Sequence, residues 1–231
     1  EAPTIAAWQS VAAHGSLGEV GLEMTTATAA SEPRGELSKL VVTFTEPVDP
    51  TTAIDASIAL VGLDPNGDPI NPDDYAKTLT LRIGDQVADL EFDPPLVAGR
   101  YCIRLVGVTD QAGNLLEGDA ARLDVAVLPG DATGDLRVNA TDGGGISTLV
   151  GTNPIDPTEP WQVRSDLDHD GDIDLDDVQI VVDNRPQDFT WLINTCSFFE
   201  SNGVLATDPR DRDGMIVRGA NGLVNDALLG G

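Results

Sequence analysis

Aspartate recurs at every second position from Asp166 to Asp174 and again at Asp177. Counted from Asp166, the side chains of Asp166, Asp168, Asp170, Asp174 and Asp177 hold positions 1, 3, 5, 9 and 12 of a twelve-residue stretch. Gly171 falls at position 6 and the apolar Ile173 at position 8. A large hard cation takes six to eight oxygens, and side chains at those five positions, with the main-chain carbonyl of position 7, wrap one. The position 7 carbonyl here belongs to Asp172, whose own carboxylate is expected to point outward. The spacing predicts a calcium site. Like charges about 4 Å apart repel by about 4 kcal/mol per pair at an effective dielectric near 20, so the cluster calls for a counter-ion.

The same frame occurs once more upstream. Asp131, Thr133, Asp135, Asn139 and Asp142 hold positions 1, 3, 5, 9 and 12, with the Arg137 carbonyl at position 7 and Val138 at position 8. Leu136 stands at position 6, where the turn favours a residue without a side chain, so this EF-hand-like loop is the poorer match. Two Ca²⁺ sites follow, and no other metal-binding or cofactor motif does.

The elements that position these loops differ on either side of them. From Thr4 to about Val127 the chain reads as short strands separated by Gly, Pro and Asp turns, the pattern of a mainly β sandwich. Thr4 to Val11 is the first strand, and Val20, Leu22 and Met24 alternate in the second. Leu40, Val42 and Phe44 mark the next, followed by Ile58 with Leu60, Leu79 with Leu81 and Ile83, and Leu90 with Phe92. Tyr101 to Val106 and Leu123 to Val127 complete the set. Leu175 to Asp183 is expected to form a helix leaving the second loop and stopping before Pro186. Phe189, Leu192, Ile193, Cys196 and Phe199 fall on one stripe of a further amphipathic helix, with Asp188 as its N-cap. Asp208 to Ile216 imitates a third loop but fails the frame and reads as a turn, and Leu223 to Leu229 is apolar enough to need a partner. The division is thus 1–128 sandwich, 129–186 calcium-binding module and 187–231 C-terminal extension.

Composition narrows the function. The net charge is −26, from 39 acidic against 13 basic residues, which excludes nucleic acid and anionic membrane surfaces as partners. Hydrophobic residues make up 41%, enough for a buried core, and no apolar run is long enough for membrane insertion. The chain opens at Glu1 rather than Met, which fits a secreted protein whose signal peptide has been removed. Cys102 and Cys196 allow one intrachain disulfide, an intermolecular bond or two free thiols. In Arg100 to Leu105, Tyr101, Ile103 and Leu105 alternate onto one face, so Cys102 is expected to point away from the core. The two histidines, His14 and His169, lack metal or triad spacing and read as surface residues. No catalytic motif occurs, and aromatics at 4% are too few to line a sugar cleft, so the chain reads as no enzyme.

Two stretches resemble known families. Val41-Val42-Thr43-Phe44-Thr45-Glu46-Pro47-Val48-Asp49-Pro50 and Gly107-Val108-Thr109-Asp110-Gln111-Ala112-Gly113-Asn114 are similar to the opening and closing signatures of bacterial Ig-like domains found in S-layer and other cell-surface proteins. That resemblance implies a spacer or assembly module. From Gly130 to about Arg185, a calcium loop followed by a helix and then repeated resembles the dockerin type I module, with the ligands named above. It departs from that family in Gly143, Gly144 and Gly145 after loop 1, in the long insert Gly151 to Pro160, and in the unlike pairs Ala140-Thr141 and Leu175-Asp176 at loop positions 10 and 11. In dockerins those positions contribute to cohesin recognition.

Together these features predict a non-catalytic, calcium-binding structural protein of the extracellular space or cell surface. It is expected to undergo self-assembly into a homo-oligomer, filament or surface layer, with Pro3 to Val11 or Leu223 to Leu229 adding a strand to a neighbour. The alternative is an interaction module that binds a cohesin-like partner in a polysaccharide-degrading or cell-surface complex.

Overall fold

The computed structural model describes residues 2–24, 30–116, 121–190 and 196. The first half folds into strands β1 (Ile5–Ala13), β2 (Glu19–Met24), β3 (Ala30–Glu32), β4 (Leu37–Phe44), β5 (Ile58–Leu63), β6 (Ala76–Leu81), β7 (Val87–Leu96), β8 (Gly99–Leu105) and β9 (Arg122–Val127). They form a five-stranded sheet in the order β2-β1-β4-β7-β6 and a four-stranded sheet in the order β3-β9-β8-β5. Pairing is antiparallel except where β3 runs parallel to β9. Alternation dictates the arrangement: Val20, Leu22 and Met24 of β2 are buried while Glu19, Gly21 and Glu23 are exposed. Leu90 and Phe92 of β7 face the same core. The protein is therefore mainly β. The two signature stretches meet in space, with Val48 bridging Asp110 and the Asp49 N–H donating to the Thr109 carbonyl.

Several expectations are corrected. The strand from Leu79 ends at Leu81, and Ile83 stands fully exposed in the turn to β7. β1 pairs with β2 through Trp8 to Ala13 and with β4 through Ile5 to Ser10, so Trp8 to Ser10 is flanked on both sides. Cys102 leaves the sandwich interior as its parity requires, yet it is fully buried, because it is disulfide-bonded to Cys196. Arg100, on the same face, is equally buried, bonding Asp124 through Nε (2.9 Å) and the Phe189 carbonyl through Nη1 (3.4 Å). Phe189 and Cys196 thus meet the outer face of β8. Closing a loop of 94 residues is worth up to about 4.7 kcal/mol on the chain-entropy account. Asp188 accepts the Thr190 N–H as a cap would. Leu192, Ile193 and Phe199 of the expected stripe, Asp208 to Ile216, and Leu223 to Leu229 lie outside the described residues.

A polar cluster is sealed beside the core. Glu32, fully buried, accepts from the Arg34 N–H and Nε on Oε1 (3.0 and 2.7 Å), and from Arg34 Nη2 on Oε2 (2.8 Å). The Ser10 hydroxyl also donates to Oε2. Burial alone drives this carboxyl up, but the charge and hydrogen bonds of Arg34, with Ser10, override it and hold Glu32 below the usual carboxylate range. A depressed carboxylate contributes stability above its unfolded-chain value of 4.5 and loses it as pH falls through the folded value. Glu32→Gln leaves Arg34 buried without its counter-charge, and removing one partner of such a pair costs about 3–5 kcal/mol. Its melting temperature is expected to lie well below wild type at pH 7, with the gap closing as both proteins are acidified. A gap that persists unchanged at pH 3 would contradict the assignment.

Candidate metal centre

Past β9 the chain turns at Pro129-Gly130 into loop 131–142, and the remaining elements are β10 (Arg137–Val138), α1 (Ala140–Ser147), α2 (Pro160–Ser165), α3 (Leu175–Asn184) and β11 (Gln187–Asp188). Each calcium-type loop runs straight into a helix through the same cap. Asn139 and Asp174, at position 9, accept the N–H groups of Thr141 and Asp176, while Asp142 and Asp177, at position 12, reach back to the N–H groups of Asn139 and Asp174. These reciprocal capping boxes explain why an acidic residue closes each loop: it satisfies an orphan donor at the helix start. The expected exit helix over Leu175 to Asp183 is α3. Sequence reading missed α2, for which Pro160 in the first helical turn was the available mark.

In loop 166–177 the structure draws three of the predicted ligands together. Carboxylate oxygens of Asp166, Asp168 and Asp177 lie within 4.8 Å of one another. Asp177 is buried, accepting from the Leu167 N–H on Oδ1 (2.6 Å) and the Asp174 N–H on Oδ2 (2.9 Å). Asp166 is fully buried; its Oδ2 accepts the Gly171 N–H (3.1 Å) and contacts His14 Nδ1 (2.6 Å), while its Oδ1 has no hydrogen-bond partner. Burial, with the charges of Asp168 and Asp166, pushes the Asp177 carboxyl up to about 7, and burial also raises Asp168. Asp170 and Asp174 are exposed, and Asp170 accepts the Asp172 N–H (2.9 Å). The Asp172 carboxylate points outward as expected, onto the Asn153 amide (2.8 Å).

Loop 131–142 repeats the scaffold with fewer charges. Asp131, buried, accepts from the N–H groups of Gly134 and Asp135 on Oδ1 and of Leu136 on Oδ2. Asp142, also buried, accepts the Thr133 hydroxyl (2.8 Å) and N–H (3.0 Å) on Oδ1. Asp135 is exposed and takes the Arg137 N–H, and the Arg137 side chain bonds Asp188. The two loops share one backbone: positions 4 and 6 have positive φ in both, as Gly134 (75°) and Leu136 (66°) in the first, and His169 (64°) and Gly171 (96°) in the second. Each loop spends its single glycine on a different one of the two left-handed positions. The position 8 residues do not pair with each other: Val138 pairs with Gln187, and Ile173 bridges Thr152.

Two basic side chains fasten the loops to the sandwich. Arg164, in the last turn of α2, donates to the carbonyls of Asp131 (2.8 Å), Ala132 (2.8 Å) and Ser31 of β3 (3.0 Å). His14 follows β1, and beside it the Gly15 N–H donates to the His169 carbonyl (2.8 Å). Both histidines were expected at the surface, and the structure corrects this. His14 is fully buried between Arg34 and Asp166, and His169 is partly buried against it, with ring centroids 5.1 Å apart. Burial, with Arg34 and His14 beside it, pushes the His169 imidazole down to about 4. Local spacing carries no mark of a partner 152 residues away.

The donor set fits a hard cation. Three carboxylates converge, one buried carboxylate oxygen is unsatisfied, and carboxylate oxygens are what such an ion takes. A divalent ion held there would supply positive charge to this group of acids.

No family model matches the chain, and no curated protein does. Among solved structures it is similar to the S-layer protein rSbsC(31-844), at 21% identity over 44% of this chain and 13% of that one, with a TM-score of 0.32. It is also similar to the N-terminal part of the bacterial S-layer protein SbsC, at 21% identity over 43% and 22% of the two chains, with a TM-score of 0.32. The chain thus spans well under two thirds of the length of either.

The three successive glycines of α1 have different surroundings. A methyl group on Gly145 would stand 2.7 Å from Trp161 Cζ2, and one on Gly143 would stand 3.7 Å from Val181 Cγ1, whereas one on Gly144 meets nothing within 4 Å. Gly144→Ala is expected to raise stability by about 0.5–1 kcal/mol through helix propensity alone. Gly145→Ala is expected to lower it, since overpacking costs about 1–3 kcal/mol. Equal gains from both in thermal unfolding would show that α1 does not approach Trp161 closely.

Proposed function

We propose that this chain is a calcium-binding, non-catalytic structural protein of the extracellular space or a surface layer, in which bound ions lock the loop module onto the β-sandwich. The observation that carries this reading is the convergence of Asp166, Asp168 and Asp177, with one buried oxygen of Asp166 unpartnered, on a loop hydrogen-bonded to the β1–β2 connection. Loop 166–177 is the stronger of two Ca²⁺ sites. Loop 131–142 is the weaker, since Thr133 and Asn139 replace two carboxylates. The intrachain disulfide supports an oxidising compartment, and the acidic surface suits a medium rich in calcium. Among the described residues no helix is long and apolar enough to cross a membrane.

In this reading the ion neutralises the repulsion within loop 166–177 and fixes the angle between sandwich and module, so that subunits stack with one geometry. The assembling element in this reading is Pro3 to Val11 or the apolar C-terminal stretch Leu223 to Leu229. A second reading is favoured by one observation. Ala140, Thr141, Leu175 and Asp176, at the starts of α1 and α3, are all exposed, and Leu175 is 69% so, as a docking face for a cohesin-like partner requires.

Negative-stain electron microscopy in millimolar calcium, repeated after excess chelator, separates the two. Filaments or sheets that soften or dissolve on chelation are expected. Monodisperse particles in both conditions, together with capture by a cohesin domain, would replace the structural reading with the second.

A further inference from the structure

We infer that His14 is a positioning residue for the cation site of loop 166–177, and that the calcium affinity of this loop is set in part by the buried Ser10–Glu32–Arg34 cluster of the sandwich. The inference rests on the calcium reading above and adds to it a determinant outside the loop.

Arg34 carries only N–H groups, so its Nη1, 3.0 Å from His14 Nε2, makes that nitrogen an acceptor. The imidazole proton therefore sits on Nδ1 and is donated to Asp166 Oδ2 at 2.6 Å. Arg34 has no freedom to do otherwise. Its Nε and Nη2 are held by the two oxygens of Glu32, and Nη2 also donates to the Ser10 hydroxyl (2.7 Å). Every side chain in this line is at least 96% buried, as Ser10 is 2%, Glu32 0%, Arg34 4%, His14 0% and Asp166 0% exposed. Water is thus unavailable to substitute for a missing donor.

The consequence for Asp166 is a division of labour between its oxygens. Oδ2 receives two donors, His14 Nδ1–H and the Gly171 N–H, while Oδ1 receives none. A carboxylate held in that way presents one fixed oxygen to an ion, with no rotation to lose on binding. The main chain backs the arrangement. The His14 carbonyl lies 3.2 Å from where a Gly171 side chain would begin, and a methyl on Gly15 would stand 1.9 Å from the Asp170 carbonyl, so hairpin tip and loop fit only without side chains at both places.

Outer-shell donors of this kind change metal affinity by about 10–100-fold when removed. Calcium titration calorimetry on the full chain compares wild type, His14→Ala and His14→Asn. His14→Ala is expected to weaken one of the two sites by about 10–100-fold and leave the other unchanged. His14→Asn, whose side-chain amide places a donor where Nδ1 stood, is expected to recover most of that loss. If His14→Ala does not fold, the nitrogen-15 imidazole spectrum of wild type decides. The Nδ1-protonated tautomer of His14 is required, and the Nε2-protonated tautomer overturns the inference. Wild-type affinity in both variants, with only the melting temperature lowered, overturns the inference and leaves the calcium site standing. Absence of calcium binding by wild type removes the calcium reading and the inference together.

Discussion

A carboxylate can be buried only if something else supplies what water would have given it, and Asp166 is buried completely. Its partner comes from the far end of the sequence, through the turn after β1. The ring of His14 is in turn held by Arg34, and Arg34 by Glu32. None of these groups can be moved alone, because each would leave a buried polar atom without a partner. Much of the architecture answers to this constraint. β3 must run beside β9 to bring Glu32 under β1, and the hairpin tip must be thin enough at Gly15 for loop 166–177 to lie against it. The apolar residues follow the same plan, forming one connected cluster from Ile5 to Cys196 rather than two separate cores.

How far the fold could be read in advance depended on whether the determinant was local. Period-two alternation placed the sandwich strands other than β3, which is buried at all three residues, since a strand with one buried face announces itself residue by residue. The failures occur where burial comes from somewhere distant. For Cys102 the alternation gave the right side of β8, but the covering segment lies 94 residues on, so the face looked open. His14 reads as a lone polar residue at a strand end because its two partners, Arg34 and Asp166, are not neighbours in sequence. Gly145 of α1 stands out in sequence only as a departure from a family pattern, and its close approach to Trp161 belongs to a helix whose only local mark was Pro160.

The two twelve-residue loop frames were the most legible part, because their spacing and the helix caps that close them are written in consecutive residues. Even there the sequence concealed an equivalence. Leu136 at position 6 looked like a defect of the first loop, but both loops place two residues in the left-handed region and each has one glycine for the pair. Loop 131–142 gives its glycine to position 4, where Arg164 Nη2 would stand 3.0 Å from a side chain. Loop 166–177 gives it to position 6, against the His14 carbonyl. In both cases the glycine sits where the neighbouring element comes nearest, and the other position bears the strain.

The bond between Cys102 and Cys196 also has a mechanical meaning. It closes a covalent ring that contains both twelve-residue loops and helices α1, α2 and α3. Tension applied to the tail enters the sandwich at Cys102, in the interior of the four-stranded sheet, and bypasses the backbone of residues 103–195. The module inside the ring is shielded from that load. Under such a pull, the disulfide would act as the tether and loops 131–142 and 166–177 as a bracket that sets direction without carrying weight.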